Sequence, residues 1–212
     1  MPTPDTADFA DYLTETSFDI LTSVGEVPQM AVWNPSAYAY DVSGRTPLGS
    51  ASENPADHLS LGVGYWARIP FTAAPLDGVI LNRPGLIATD PMESSMLDRR
   101  GRFEIRLKPG WNMIGDPFAE AEGVQPTGIA LSAMYVDNDG LVTSLLQADF
   151  RHLVSMVFFR YDPSSDLYVP IYEDNQSTSI VCPSSPTNTS IYPYIGYWVY
   201  SWTNSTLLIP HP

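Results

Sequence analysis

Tyr161-Asp162-Pro163-Ser164 leads to Tyr168 and then, 34 residues after Asp162, to Gly196-Tyr197-Trp198. The same order stands earlier in the chain, where Trp33-Asn34-Pro35-Ser36 leads to Tyr40 and Gly64-Tyr65-Trp66 follows Asn34 by 30 residues. An aromatic, then Asx-Pro-Ser, then a second aromatic is a hairpin signal. The Asx side chain caps its own turn, proline fixes φ, and the flanking rings pair across the two strands. Glycine before Tyr-Trp marks a place where a strand bends or another backbone comes close, and alternate aromatics then fall on opposite sheet faces. Two related modules are more economical than coincidence.

The surrounding residues extend this plan. Phe103, Ile105 and Leu107 alternate with polar residues, and Lys108-Pro109-Gly110 turns the chain into a second strand, Trp111 to Gly115, ended by Asp116-Pro117. Asp137-Asn138-Asp139-Gly140 between Tyr135-Val136 and Leu141-Val142 fits a hairpin closed by a glycine at positive φ. Leu146, Phe150, Leu153 and Val157 recur at helical spacing, which predicts a short amphipathic helix near residues 143–155. Strand-like runs follow at Met156–Tyr161, Tyr168–Tyr172, Tyr197–Trp202 and Thr206–Ile209.

Composition agrees with a mainly β chain. Twenty Pro, 14 Gly and an aromatic fraction of 12% suit many short strands joined by turns, whereas long helices would be broken by that much proline. At 212 residues and 44% hydrophobic content, the chain has enough material for a core without disulfides. The expected architecture is two tandem small β-sandwich or barrel-like modules, each with one short helix. The expected boundaries are an N-terminal arm at 1–16, a first module at 17–86, a connector at 87–101 carrying Arg99 and Arg100, and a second module at 102–212.

The order Pro109-Gly110-Trp111-Asn112-Met113-Ile114-Gly115-Asp116-Pro117-Phe118, Tyr161-Asp162-Pro163, Gly196-Tyr197-Trp198-Val199 and Thr206-Leu207-Leu208-Ile209-Pro210 resembles a repeat domain of secreted and cell-surface bacterial proteins. In that family a Gly-Trp-Asn strand opens a small β domain, and a Gly-Tyr-Trp strand followed by a Thr-Leu strand closes it. The resemblance covers residues 103–210 well and 18–83 in part. It implies an extracellular, non-catalytic module and carries over no catalytic residue.

The first module departs from the pattern, because nothing upstream matches the opening Gly-Trp-Asn strand. An incomplete sheet exposes unpaired N–H and C=O groups unless something covers them. Three fillers are open: the chain's own arm with Phe9, Tyr12 and Leu13, the Trp111 strand shared between modules, or a strand from another subunit. The last is strand donation, and head-to-tail donation builds an open filament.

Chemistry-bearing motifs are few. The sequence contains no nucleophile elbow, phosphate-binding loop, dinucleotide fingerprint or His-Glu-x-x-His. His58, His152 and His211 share no metal-binding spacing, and Cys182, the single cysteine, lacks a nearby basic residue. In Asp137-Asn138-Asp139-Gly140 the calcium-loop pattern breaks off, since Ala148 stands where the closing glutamate belongs. Asp116, Asp162 and Glu173 all lie beside turn residues, so paired-carboxylate hydrolysis has little support. No cofactor, metal site or enzyme is expected.

A net charge of −14 works against nucleic acid and anionic membranes, and no apolar run reaches the roughly 18 residues of a membrane span. The first residues, Met1-Pro2-Thr3-Pro4-Asp5, lack the basic and apolar regions of a signal peptide, which leaves the compartment open. The sequons Asn175-Gln176-Ser177, Asn188-Thr189-Ser190 and Asn204-Ser205-Thr206 cluster in polar stretches that an extracellular protein would expose.

Two functional expectations result. The first is a filament or surface-layer subunit that polymerises with itself by strand donation through Phe9, Tyr12 and Leu13. The second is a carbohydrate-binding module with Tyr200 and Trp202 as exposed stacking rings for a polysaccharide. Trp66, Trp111 and Trp198 are expected as core anchors, with ligand stacking as the competing role for Trp66 and Trp198.

Overall fold

The structure is a computed structural model that describes residues 6–8, 29–42, 58–60, 62–68, 97–118, 128–162, 164–172, 189–193 and 195–211. The chain is mainly β, built from antiparallel sheets. Phe9, Tyr12, Leu13, Cys182, Glu173, the helix expected in the first module and most of the connector lie outside the described residues.

The earlier repeat contributes β1 (Thr6–Asp8), β2 (Gln29–Asn34), β3 (Ala39–Val42), β4 (His58–Ser60) and β5 (Tyr65–Arg68). The later one contributes β6 (Phe103–Leu107), β7 (Gly110–Gly115), β8 (Ile129–Ala130), β9 (Tyr135–Asn138), β10 (Leu141–Ser144) and α1 (Leu145–Phe150). It continues with β11 (Val154–Asp162), β12 (Leu167–Ile171), β13 (Ser190–Ile191), β14 (Gly196–Ser201) and β15 (Ser205–Ile209). The repeat seen in the sequence is a repeat of topology, because β3-β2-β5 and β12-β11-β14 have the same order, and β1-β4 parallels β8-β13. Among the described residues the first repeat has no counterpart of β7.

In the later repeat, sheets ordered β10-β9-β15-β6 and β12-β11-β14-β7 feed one buried cluster. Strand alternation supplies it: Phe103, Ile105 and Leu107 from β6, Leu207 and Ile209 from β15, and Tyr197 and Val199 from β14 all point inward. Fully burying a side chain such as Phe158 or Phe103 stabilises by about 1.5–3 kcal/mol, so this cluster dominates the stability of the later repeat.

Local polar bonds set the turns. Asn112 is buried, and its side chain accepts from Lys108 N at 2.9 Å and donates to Lys108 O at 2.8 Å and Gly110 O at 3.0 Å. It thereby closes the turn from β6 into β7, where Gly110 takes φ +100°. The expected Asp137-Asn138-Asp139-Gly140 hairpin is present. Asp139 and Gly140 both have positive φ (52° and 86°), as a type I′ turn requires, and Gly140 N donates to Asp137 Oδ1 at 2.8 Å.

Two expectations are corrected. The helix is only six residues long and buries Leu145 and Ala148, while Phe150 is 75% exposed. Val157, counted in the helical spacing, already belongs to β11. The end of the connector is also only partly exposed: Arg99 and Arg100 face solvent, but the residues on either side of them are held. Leu97 bridges Phe103 and packs on the core, and Arg102 is buried, with its guanidinium 2.5 Å from Asp98 and stacked over Tyr135. Burial favours the neutral Asp98 acid, but the Arg102 side chain and the N–H groups of Arg102 and Arg100 outweigh it and hold the carboxyl below its usual range.

Candidate functional site

The two Asx-Pro-Ser hairpins are built alike. Asn34 Oδ1 accepts from Ser36 N at 3.1 Å and Ala37 N at 3.2 Å, and Trp33 faces Tyr40 across the strands with ring centroids 5.1 Å apart. Asp162 accepts from Ser164 N at 3.1 Å, Ser164 Oγ at 2.7 Å and Ser165 Oγ at 2.8 Å, and Tyr161 faces Tyr168 at 5.6 Å. Each loop reverses through one residue at positive φ, Tyr38 at 50° and Asp166 at 57°. The Ser164 and Ser165 hydroxyls and the Ser164 N–H hold the Asp162 carboxyl below its usual range, so it is ionised at neutral pH. The Tyr161 hydroxyl donates to Asp166, and that bond, with burial second, raises the phenol.

These hairpins meet across β7. One edge of β7 pairs with β14 from Gly110 to Gly115, and the other meets the segment ahead of β5. Val63 bridges Ile114, Gly64 N donates to Met113 O at 3.2 Å, and Gly115 N donates to Gly62 O at 2.9 Å. Glycine is required at 64 because a Cβ there would sit 2.7 Å from Ile114 O. The strand shared between modules, one of the three fillers left open by the sequence, is thus the neighbour the first repeat meets. The arm strand β1 pairs with β4 of the same chain, Thr6 with Ser60 through Asp8 with His58.

Ring contacts across the junction are reciprocal. Trp33 stands edge-on to Trp198 at 5.4 Å, and Trp66 stands edge-on to Tyr161 at 5.1 Å. Since Trp33 corresponds to Tyr161 and Trp66 to Trp198, each repeat presents the same pair to the other. Trp33 Nε1 also donates to Trp111 O at 2.6 Å, and Trp66 Nε1 donates to Tyr40 Oη at 3.2 Å. Burial raises the Tyr40 phenol, with the Trp66 bond partly offsetting it.

Two hollows flank this junction. An apolar groove of about 430 Å3 is lined by Trp33, Tyr40, Trp111, Phe159, Tyr168 and Trp198. A cleft of about 320 Å3 is lined by residues that include Trp66, Met113, Arg160, Tyr161, Asp162 and Trp198. Arg160 Nε is buried and has no hydrogen-bond partner, an arrangement that costs about 1–3 kcal/mol unless an acceptor is supplied.

The expected core anchors are not in the core. Trp111 is 40% exposed, and Trp66 and Trp198 are half-buried at the junction. The reason is alternation: in Gly196-Tyr197-Trp198 the glycine starts the strand so that Tyr197 points inward and Trp198 outward. Tyr197 is fully buried, and burial pushes its phenol up to about 12 even though the hydroxyl accepts from Tyr192 N at 2.9 Å.

Tyr200 and Trp202 lie in a file of rings running His152, Trp202, Tyr200, Trp111 and Phe159, with Trp202 just past the end of β14. Their rings are edge to face, 74° between Tyr200 and Trp202, rather than coplanar. The sequence reading missed Arg160 and Phe159, although period-two alternation through Tyr161 is the signal that places Phe159 on the outward face.

Among the described residues no group of three or more His, Cys, Asp or Glu side chains is placed to hold a metal ion, and no helix is long and apolar enough to cross a membrane. Searches against protein-family models, curated proteins and solved structures returned no match.

Proposed function

We propose that this chain is a non-enzymatic extracellular structural protein that assembles with further copies of itself by exchanging its N-terminal arm. The observation that carries the reading is the β1–β4 pair, a two-stranded element of three residue pairs separate from the other described sheets. The same pairing made between chains uses identical contacts, and as a head-to-tail contact it propagates instead of closing. The resemblance to the secreted β repeat domain supports the extracellular setting, and the contiguous exposed rings at Tyr38, Tyr40, Trp111, Tyr168 and Trp202 supply apolar surface for neighbours. Deleting residues 1–16 is expected to abolish polymers seen by electron microscopy and size-exclusion chromatography while leaving the near-ultraviolet circular dichroism of the later repeat intact. Unchanged polymers, or a full-length chain that stays monomeric at every concentration, would overturn the reading.

A second reading is binding of a polysaccharide, supported by the exposed indoles of Trp111 and Trp202 and by the cleft between the repeats. Tryptophan fluorescence on titration with polysaccharides, with Trp202→Ala as control, tests it.

A further inference from the structure

We propose that Asn204 carries an N-linked glycan whose first sugar packs against Trp202. This rests on the extracellular reading, because such a glycan is transferred on the export side of a membrane.

Of the three sequons, those at Asn175 and Asn188 begin outside the described residues, whereas Asn204-Ser205-Thr206 is described throughout. It closes the turn in which the chain leaves β14 at Ser201 and enters β15 at Ser205, passing from one sheet to the other. The residues of this turn alternate between two sides. On the inner side Ser201 and Ser205 are buried, Ser201 Oγ donates to Thr203 O at 2.7 Å, and Thr203 Oγ1 lies 3.0 Å from Ser205 Oγ. Asn138 Nδ2 reaches both of the latter hydroxyls at 3.4 Å and donates to Asn204 O at 2.9 Å. The other side is left to Trp202 and Asn204, both exposed, and to Thr206, which is half-buried.

This arrangement suits a glycan acceptor. The Asn204 backbone is tied down by Asn138, but among the described residues its side-chain amide bonds to nothing. A sugar on Nδ2 therefore breaks no contact and projects into solvent. Thr206 supplies the hydroxyl that the sequon requires two residues on, and Ser205 avoids the forbidden proline between them. Two residues ahead stands the Trp202 indole, 40% exposed and held edge-on by Tyr200 at 5.4 Å and His152 at 5.3 Å. The apolar C–H face of the first pyranose covers that indole.

The donor is a lipid-linked oligosaccharide, and a membrane-bound oligosaccharide transferase carries out the step. Asn204 Nδ2 attacks the anomeric carbon, so that a C–N bond forms and the C–O bond to the lipid phosphate breaks. The phosphate leaves with that electron pair, and a base of the transferase takes the amide proton.

The test uses the full chain isolated from the cells that make it, separated into interior and exported pools. Mass spectrometry of the peptide containing Asn204 is expected to find sugar on that residue in the exported pool. An exported chain bare at Asn204, including one glycosylated only at Asn175 or Asn188, would overturn the site and leave the extracellular reading standing. A chain confined to the cell interior would overturn both. The Trp202 contact is read by thermal melting of the glycosylated chain. Asn204→Gln is expected to lower the melting temperature by about 2–4 °C, the effect of one ring contact at this chain length, but by less than about 1 °C when Trp202→Ala is already present. Equal losses in the two backgrounds would overturn the packing. The mass measurement needs no variant, so the site is decided even if Trp202→Ala fails to fold.

Discussion

Gly64→Ala tests whether the repeats are joined where Gly62–Gly64 lies along β7. The added Cβ would fall 2.7 Å from Ile114 O, 2.8 Å from Met113 Cγ and 3.2 Å from Ile114 C. The Met113 side chain can rotate away, but the Ile114 peptide cannot yield without disturbing its pairing with Tyr197 in β14. The segment must therefore lift off, losing the bonds of 3.2 Å and 2.9 Å that tie it to β7. At about 0.5–1.5 kcal/mol each these are worth about 1–3 kcal/mol. The ring pairs Trp33–Trp198 and Trp66–Tyr161, each about 0.5–1.5 kcal/mol beyond burial, loosen with them. For a chain of this size 1 kcal/mol moves the melting temperature by about 2–4 °C.

Calorimetry of Gly64→Ala should therefore show an early transition split from the melt of the later repeat. Near-ultraviolet dichroism from the stacked indoles should fall in the same variant. Gly101→Ala is the control: φ is +74° there, but no atom lies within 4 Å of an added Cβ, so its cost of about 1–2 kcal/mol is backbone strain alone and leaves the indole signal unchanged. A Gly64→Ala chain with a single unshifted transition and wild-type dichroism would refute the junction.

Asn112→Ala removes three hydrogen bonds that close the turn into β7 and is expected to cost about 2–4 kcal/mol in urea unfolding; a loss below about 0.5 kcal/mol would show that the turn closes without them. Tyr197 makes stability fall on the alkaline side. Its folded pKa of about 12 lies above the ordinary phenol value, so its contribution is complete below about pH 10 and is lost as pH rises from there through 12, by at most about 1.4 kcal/mol per pH unit. Urea unfolding should show little of this loss between pH 9 and 10 and a clear decline from pH 10 to 11, and that decline should flatten in Tyr197→Phe; an equal decline in the two proteins would assign it to other groups.

What was legible in the sequence was local. Asn34 and Asp162 announced their turns because an Asx side chain two residues before an N–H can reach only so far, and Asp139-Gly140 announced a hairpin because few residue pairs accept two positive φ values. The match between repeats was visible because both turns and both Gly-Tyr-Trp starts recur in order. The faces of the indoles were not. Hydrophobicity alone sends Trp66, Trp111 and Trp198 to the core, yet strand phase, set by where the glycine begins the strand, gives the inward place to Tyr197. The helix face failed for a similar reason, since Leu146, Phe150, Leu153 and Val157 join helix and strand residues into one false period. The Arg160 cleft was invisible because it is made by the meeting of distant segments, and no spacing within either records it.

Strand β7 is a single ribbon between two kindred partners, and a ribbon has unlike edges. Six residues, Gly110–Gly115, are laced to β14 on one side, while on the other, among the described residues, the short segment Gly62–Gly64 and the Trp33 indole hold it. A pull along the backbone would accordingly open the molecule in a set order: the leading half would swing free first, baring its indoles, while the trailing half stayed shut.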